Sequence, residues 1–173
     1  MIKNFFFILL VSLLSFNVSK ADEKISYVDV DYILSNSLAG KSLLETLKKE
    51  EKLKIENFKV SDDNFKDKEK KILAKKNLIT NEEINKELKS LQIEFQSYRK
   101  NKMNEIKKFK AKRNRNILNF IKLINPIMEN YMTENSISIL LDKKNIFIAS
   151  KDYDITKNLI TLIDNKFKSI DIK

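Results

Sequence analysis

The sequence predicts an α+β protein: a small β-rich body that carries a long antiparallel helical hairpin and a C-terminal helix. The chain contains one glycine and one proline in 173 residues, so it has few of the residues that tight turns require. Residues 41–135 are rich in Lys, Glu and Leu, and their apolar residues recur at three- and four-residue steps. Runs rich in β-branched residues flank this segment, and they are too short to form a self-sufficient core. We therefore expect the body to complete itself by association between copies of the chain.

Residues 1–21 predict a secretory signal peptide. Lys3 precedes an apolar run from Phe5 to Phe16, and small residues occupy the −3 and −1 positions of a cleavage site after Ala21. The run is about 12 residues long, whereas a membrane span needs about 20. We expect an exported protein whose mature chain starts after Ala21.

Residues 22–40 predict the first strand of the body and a short connector. The stretch "ISYVDVDYIL" (25–34) alternates and is rich in β-branched residues, which favours a strand running into a turn or short helix. The following "AGKS" is similar to the end of a phosphate-binding loop, but Ser35 stands where that motif requires its first glycine. We expect no nucleotide site, and we interpret Gly40 as a permissive joint between the body and the long helix.

Residues 41–124 predict a helical hairpin arm with a turn near 76–81. Thr80 and Glu83 have the spacing of a capping box, which starts a new helix. Folding the chain back at this point brings apolar residues together at one constant register. The predicted pairs are Ile72 with Ile84, Phe65 with Leu91, Phe58 with Tyr98, and Leu47 with Phe109. At a helical rise of 1.5 Å per residue, each half of the arm would reach about 50–60 Å.

The arm carries the aromatic residues that we expect in the hairpin seam or on a partner-binding surface. They are Phe58, Phe65, Phe95 and Tyr98. It also carries the positive charge of the chain, because residues 41–113 hold 22 basic and 13 acidic side chains.

The densest basic run of the arm is "KKFKAKRNRN" (107–116), and it supplies candidates for contact with an anionic surface such as lipid or lipopolysaccharide. They are Lys107, Lys108, Lys110, Lys112 and Arg113. Nucleic acid is a less suitable partner, because the chain has three arginines and the run offers little aromatic surface beyond Phe109.

Residues 125–173 predict a return to the body. "SISILLD" and "IFIAS" flank the polar "KKN", which predicts a β-hairpin over 137–149, and a helix over 155–168 follows with Asp154 or Thr156 as its N-cap. We expect the association body to use apolar residues from both ends of the chain. They are Ile25, Tyr27, Val28, Val30, Ile139, Leu141 and Phe147.

The composition excludes several kinds of chemistry. With no Cys and no His, the chain has no thiol nucleophile, no disulfide, no Cys/His zinc site and no histidine general base. The acidic residues of the arm alternate with lysines, and none has the spacing of an EF-hand loop. We expect a protein that is not an enzyme and that uses no metal or cofactor.

The ordered set of short motifs resembles the Skp/OmpH family of periplasmic chaperones. The motifs are Tyr27-Val28-Asp29, Ile33-Leu34 before Ala39-Gly40-Lys41, then Leu141-Asp142 and Tyr153-Asp154-Ile155-Thr156. Ser26 departs from the pattern, because a glycine is expected before the aromatic residue. The resemblance implies a homotrimer with a central β-body and three hairpins around a cavity. It also implies an ATP-independent holdase for unfolded outer-membrane proteins in the periplasm.

Two other functions stay open at this stage. A structural coiled-coil envelope protein could bridge a fixed partner or an anionic lipid surface through the same arms. A basic nucleic-acid binder is the third hypothesis, and it would require binding that survives physiological salt.

Overall fold

A computed structural model describes residues 24–170 of the chain. The predicted signal peptide and its cleavage site after Ala21 lie outside these residues. The predicted fold class is confirmed, since a long helical hairpin rises from a small sheet and a C-terminal helix. The elements are β1 (Lys24–Val28), α1 (Val30–Asn36), α2 (Leu38–Ala74), α3 (Asn81–Glu134), β2 (Ile137–Asp142) and α4 (Thr156–Lys166). Short 3₁₀ turns cover Lys75–Asn77, Lys143–Asn145 and Lys151–Tyr153.

The sheet of the body consists of two parallel strands. Tyr27 of β1 lies opposite Leu141 of β2. The whole helical hairpin connects the two strands, and this long crossover permits their parallel pairing. On its other side β1 forms a bridge to Asp154, where the Ile155 N–H donates to the Tyr27 carbonyl oxygen at 3.0 Å. β1 is therefore the inner strand of this arrangement and β2 the outer one.

The predicted β-hairpin over 137–149 is wrong. Its first half forms β2, but residues 146–150 belong to no strand within the described part of the chain. β1, more than a hundred residues away in the chain, pairs with one edge of β2, and residues 146–150 do not pair with its other edge. After β2 the chain enters a 3₁₀ turn, in which the Asp142 carboxylate accepts from the Lys144 N–H at 3.2 Å, and this turn replaces the tight reversal of a hairpin.

The core lies at the base of the arm, where α1, α2, α3 and α4 meet. Its largest completely buried apolar side chains are Phe120, Ile33, Leu43, Ile124, Leu159 and Ile163. α3 continues through Pro126 to Glu134, so no new helix begins at this proline. A proline in a helix interior costs about 3 kcal/mol, and here its neighbours Ile124 and Ile127 are buried in the core.

The two helices of the arm are joined by the turn at residues 75–80, and a capping box starts α3. The Thr80 hydroxyl accepts from the Glu83 N–H at 3.3 Å, and the Glu83 carboxylate accepts from the Thr80 N–H at 2.9 Å. This capping box confirms the one that the sequence predicts. With 37 and 54 residues, α2 and α3 are about 55 Å and 80 Å long.

Candidate binding surfaces on the arm and the body

An aromatic cluster lies in the seam between α2 and α3. The ring of Phe65 is 5.2 Å from that of Phe95 and 5.1 Å from that of Tyr98, measured between centroids. Tyr98 meets its predicted partner Phe58 through the backbone, because its hydroxyl donates to the Phe58 carbonyl oxygen at 3.0 Å. The Phe58 ring faces α3, with the Lys102 ammonium 5.3 Å from its centre. Phe65 packs on Phe95, one helical turn beyond the predicted partner Leu91. The seam therefore holds all four aromatic residues named from the sequence.

A polar cluster of three side chains joins the arms beside these rings. The Tyr98 hydroxyl donates to one carboxylate oxygen of Asp62 at 2.8 Å, and the Lys102 ammonium donates to the other at 2.7 Å. These bonds, first that from Lys102 and then that from Tyr98, lower the pKa of Asp62 below its usual value. The bond to Asp62 likewise raises the pKa of Lys102, while burial is the main reason that the pKa of Tyr98 is raised. Asp62 interrupts the apolar stripe of α2, and this cluster explains how the interruption is accommodated.

Four ion pairs cross between the two helices along the arm, and a fifth joins the 3₁₀ turn at Lys75 to α3. They are Glu50–Lys112 at 2.8 Å, Lys54–Glu105 at 3.1 Å, Asp62–Lys102 at 2.7 Å, Lys68–Glu94 at 2.6 Å and Lys75–Glu87 at 2.9 Å. Partly exposed pairs of this kind contribute about 0–1 kcal/mol each. Between residues 48 and 108, Ile84 is the one apolar residue that is fully buried. The outer arm is therefore held weakly compared with the base.

The two sides of the seam differ in polarity. One side carries a cavity of 720 Å³, whose apolar lining comes from Phe65, Leu91, Phe95, Met103 and Ile106. We call this cavity the arm groove. The other side carries a cavity of 430 Å³, which apart from two aromatic rings is lined by polar and charged side chains of both helices. The exposed surface of the arm groove is thus mainly apolar, although charged side chains also line it, whereas the other side is mainly polar.

The basic candidates of α3 divide into two ion-paired lysines and three exposed side chains. Lys112 is paired with Glu50 across the arm, and Lys108 is paired with Glu105 at 3.2 Å on its own helix. Lys107, Lys110 and Arg113 are exposed. They follow each other at three-residue steps, so they lie along one strip of the helix surface.

The residues expected to form the association body divide into two groups. Tyr27 and Val28 are buried inside the subunit, and Val30 is half-buried in α1. The others leave large apolar areas in contact with water: Ile25 is 44 % exposed, Ile139 42 %, Leu141 42 % and Phe147 completely. Ile25 pairs with Ile139 in the sheet register, so these two side chains lie next to each other.

Asp29 and Thr156 tie the two ends of the described chain together. Asp29 caps α1 by accepting from the Tyr32 N–H at 2.9 Å, and its own N–H donates to the Thr156 hydroxyl at 2.9 Å. The bond from Tyr32 and a second one from Lys143 lower the pKa of Asp29. Sequence reasoning assigned Asp29 no role; its position just before the periodic residues of α1 is the capping signal that could have found it.

Gly40 lies in the first turn of α2, next to the end of α1. Its φ is negative, so the backbone freedom expected of it is not what it supplies. A side chain at this position would collide with the Leu34 carbonyl oxygen and would lie 2.8 Å from that carbonyl carbon and 2.9 Å from the Ser37 hydroxyl. The absence of a Cβ therefore allows α1 and α2 to approach each other closely.

Residues 24–170 lack two further features. Their acidic side chains form no group of three or more that could hold a metal ion. None of the helices in this range combines the length and apolar character needed to cross a bilayer.

Known proteins resemble this chain in both sequence pattern and fold. The profile of the family described as "Outer membrane protein (OmpH-like)" matches residues 24–163. No curated protein matches the chain significantly. Among solved structures, an OmpH-like protein from Caulobacter crescentus, described as an outer membrane chaperone, is similar with a TM-score of 0.77 and 18 % identity. The match covers 85 % of this chain and 87 % of that one, and at this identity it establishes the shared fold. Because the family profile spans β1, both arm helices, β2 and most of α4, this chain belongs to the OmpH-like family.

Proposed function

We propose that this protein is an ATP-independent holdase chaperone that binds unfolded outer-membrane proteins in the periplasm and prevents their aggregation in transit. The observation that carries the proposal is the arm: a long, weakly held and positively charged hairpin with an apolar groove open to water. Membership of the OmpH-like family supports it, as does the shared fold with a protein described as an outer membrane chaperone.

The physical basis of holding is a set of many weak contacts. An arm with few fully buried side chains beyond its base can adapt to different unfolded segments, because the cost of changing its shape is small. Its positive charge would speed the encounter with acidic clients. Such binding requires no chemical step, so neither ATP nor a cofactor is needed.

The body of this chaperone would be a homotrimer. Ile25, Ile139 and Leu141 present apolar surface on the sheet, and β2 has an outer edge that pairs with no strand among the described residues. Unpaired edges and exposed apolar patches both favour association. The completely exposed Phe147 lies in the segment 146–150, which is available to cover a neighbouring copy.

The oligomeric state can be measured by native mass spectrometry or sedimentation. We expect a trimer for the mature chain, and Leu141→Lys should weaken it because a charge would have to be buried in the interface. A clean monomer at micromolar concentration would contradict the proposed body.

Holdase activity can be tested by diluting a urea-unfolded transmembrane β-barrel protein into buffer that contains the mature chain and no ATP. We expect light scattering to be suppressed at about one trimer per client, and a folded β-barrel protein to remain unbound. Aggregation that continues unchanged at this ratio would overturn the proposal. Recovery of one folded partner in fixed stoichiometry would favour a bridging envelope protein instead, and co-sedimentation with anionic vesicles alone would favour a lipid surface.

A further inference from the structure

We propose that the arm groove binds an extended segment with alternating apolar residues, which is the pattern of an unfolded transmembrane β-strand. The proposal rests on the proposed holdase function and names the site and the type of segment that it would hold. The apolar lining of the groove comes from Phe65 on α2 and from Leu91, Phe95, Met103 and Ile106 on α3. Its polar lining comes from Asp62, Lys66, Glu69, Gln92, Arg99 and Lys102.

The groove presents apolar side chains that the hairpin itself does not cover. Phe95 is 38 % exposed, Met103 58 % and Ile106 39 %, and all three side chains line the cavity of 720 Å³. The opposite side of the seam is lined mainly by polar and charged groups. Because removing apolar area from water is favourable, a partner with its own apolar side chains would bind on the groove side.

The length of the groove matches a short extended chain. From Leu91 to Ile106 the axis of α3 rises about 22 Å, which corresponds to six or seven residues of an extended strand at about 3.3 Å each. Side chains on one face of a strand are about 6.6 Å apart, close to the helical pitch of about 5.4 Å. A strand lying along α3 would therefore place one apolar side chain near each turn of the helix.

Strands of outer-membrane barrels have this alternation over about ten residues, apolar toward lipid and polar toward the lumen. Before the barrel forms, the apolar side of such a strand has no partner and its backbone carbonyls are unpaired.

Charged side chains of both signs line the groove, since Lys66 and Glu69 lie there together with Asp62, Arg99 and Lys102. Asp62 is already neutralised by Lys102 and hydrogen-bonded by Tyr98, so its negative charge is satisfied within the arm. Arg99 lies at the rim with its guanidinium 5.9 Å from the centre of the Phe95 ring. Its N–H groups can donate to the unpaired backbone carbonyls or acidic side chains of an extended segment lying over that ring. The groove thus combines an apolar floor with a donor at its edge.

Binding can be measured with a ten-residue peptide of alternating apolar and polar residues and with a peptide of the same composition whose apolar residues are clustered. In the double variant Met103→Ser, Ile106→Ser, we expect the alternating peptide to bind about tenfold more weakly, because two apolar contacts are lost. The matched control is Leu53→Ser, Ile93→Ser, which changes two arm residues exposed by 60 % and 62 % that do not line the groove. Both pairs are exposed on the arm, so both variants should fold, which circular dichroism checks.

A photo-crosslinking residue in place of Met103, with Ile93 as the control position, identifies the occupant directly. We expect crosslinks to the alternating peptide from position 103 and few from position 93. Equal loss in the two double variants, or no preference for the alternating peptide, would overturn the groove. Crosslinks to a second copy of the chain in the presence of client would also overturn it, because the groove would then be an interface between arms.

These outcomes separate the site from the proposed function. If the wild-type protein suppresses aggregation and the groove variant does so equally well, holdase activity is supported and the groove is excluded as the client-binding site. If the wild-type protein binds no unfolded barrel protein, both proposals fall together.

Discussion

Replacement of Gly40 by alanine tests the packing at the base of the arm. The new Cβ would collide with the Leu34 carbonyl oxygen, which belongs to the backbone of α1 and cannot rotate away as a side chain would. The added methyl group therefore forces α1 and α2 apart, at the point where the body meets the arm. Leu43, one turn further along α2, is buried in the core that this shift would disturb.

Two opposing effects determine the size of the change. Alanine in place of glycine inside a helix stabilises by about 0.5–1 kcal/mol through backbone entropy. Overpacking costs about 1–3 kcal/mol, and a collision with backbone belongs at the upper end of this range. We expect Gly40→Ala to lower the free energy of unfolding by about 2–2.5 kcal/mol, the difference between a cost near 3 kcal/mol and a gain of about 0.5–1 kcal/mol. Gly40→Val should lower it further, because valine also has a poorer helix propensity.

Urea unfolding followed by circular dichroism measures this difference. Chain concentration has to be the same for all variants, because association would couple stability to concentration. Lys41→Ala is the matched control: the exposed side chain next to Gly40 should change stability by no more than about 0.5 kcal/mol. A Gly40→Ala protein that is more stable than the wild type would refute the reasoning, because helix propensity alone would then decide the outcome.

Two further substitutions test the core and the polar cluster of the arm. Phe120→Ala removes a side chain with no exposed surface and should lower the free energy of unfolding, measured with urea, by about 3–5 kcal/mol. Phe95→Ala, in the half-open seam, should lower it clearly less. Similar losses for the two variants would contradict the assigned core. Asp62→Asn should destabilise the protein at neutral pH, because the lowered pKa of Asp62 means that its charged form contributes stability above the unfolded-state pKa. That contribution disappears as the pH falls through the lowered pKa, so thermal unfolding of the two proteins should converge in acid, and a difference that does not change with pH would exclude the effect.

Local sequence patterns predicted the arm well. The absence of glycine, the three- and four-residue spacing of apolar side chains and the Thr80–Glu83 capping box all act within a few turns of helix. They placed two long helices and the start of the second. The detail of the register was less secure, since Phe65 packs one turn away from its predicted partner. Long side chains lean toward the N-terminus of a helix, so residues at equal height do not always meet.

The body was predicted less well, for a different physical reason. The runs around "KKN" have the local signature of a hairpin, but β2 pairs with β1, and the whole arm separates these two strands in the sequence. A window of ten residues contains no information about such a distant partner. The same limit applies to Asp29 and Thr156, which are hydrogen-bonded although 127 positions separate them.

The sequence by itself determined that this protein is a basic, mostly helical hairpin on a small body, because helix periodicity, capping and charge are local properties of the chain. Only the tertiary structure decided which side of the hairpin is apolar, that Asp62 is satisfied across the seam and that Gly40 is needed for close approach. Each of these depends on which residue of a second element lies opposite, and that is set by the packing of α1, α2 and α3 together. Gly40 is needed because it has no side chain, and not because of its backbone freedom. The carbonyl of Leu34 occupies the position that a side chain would need.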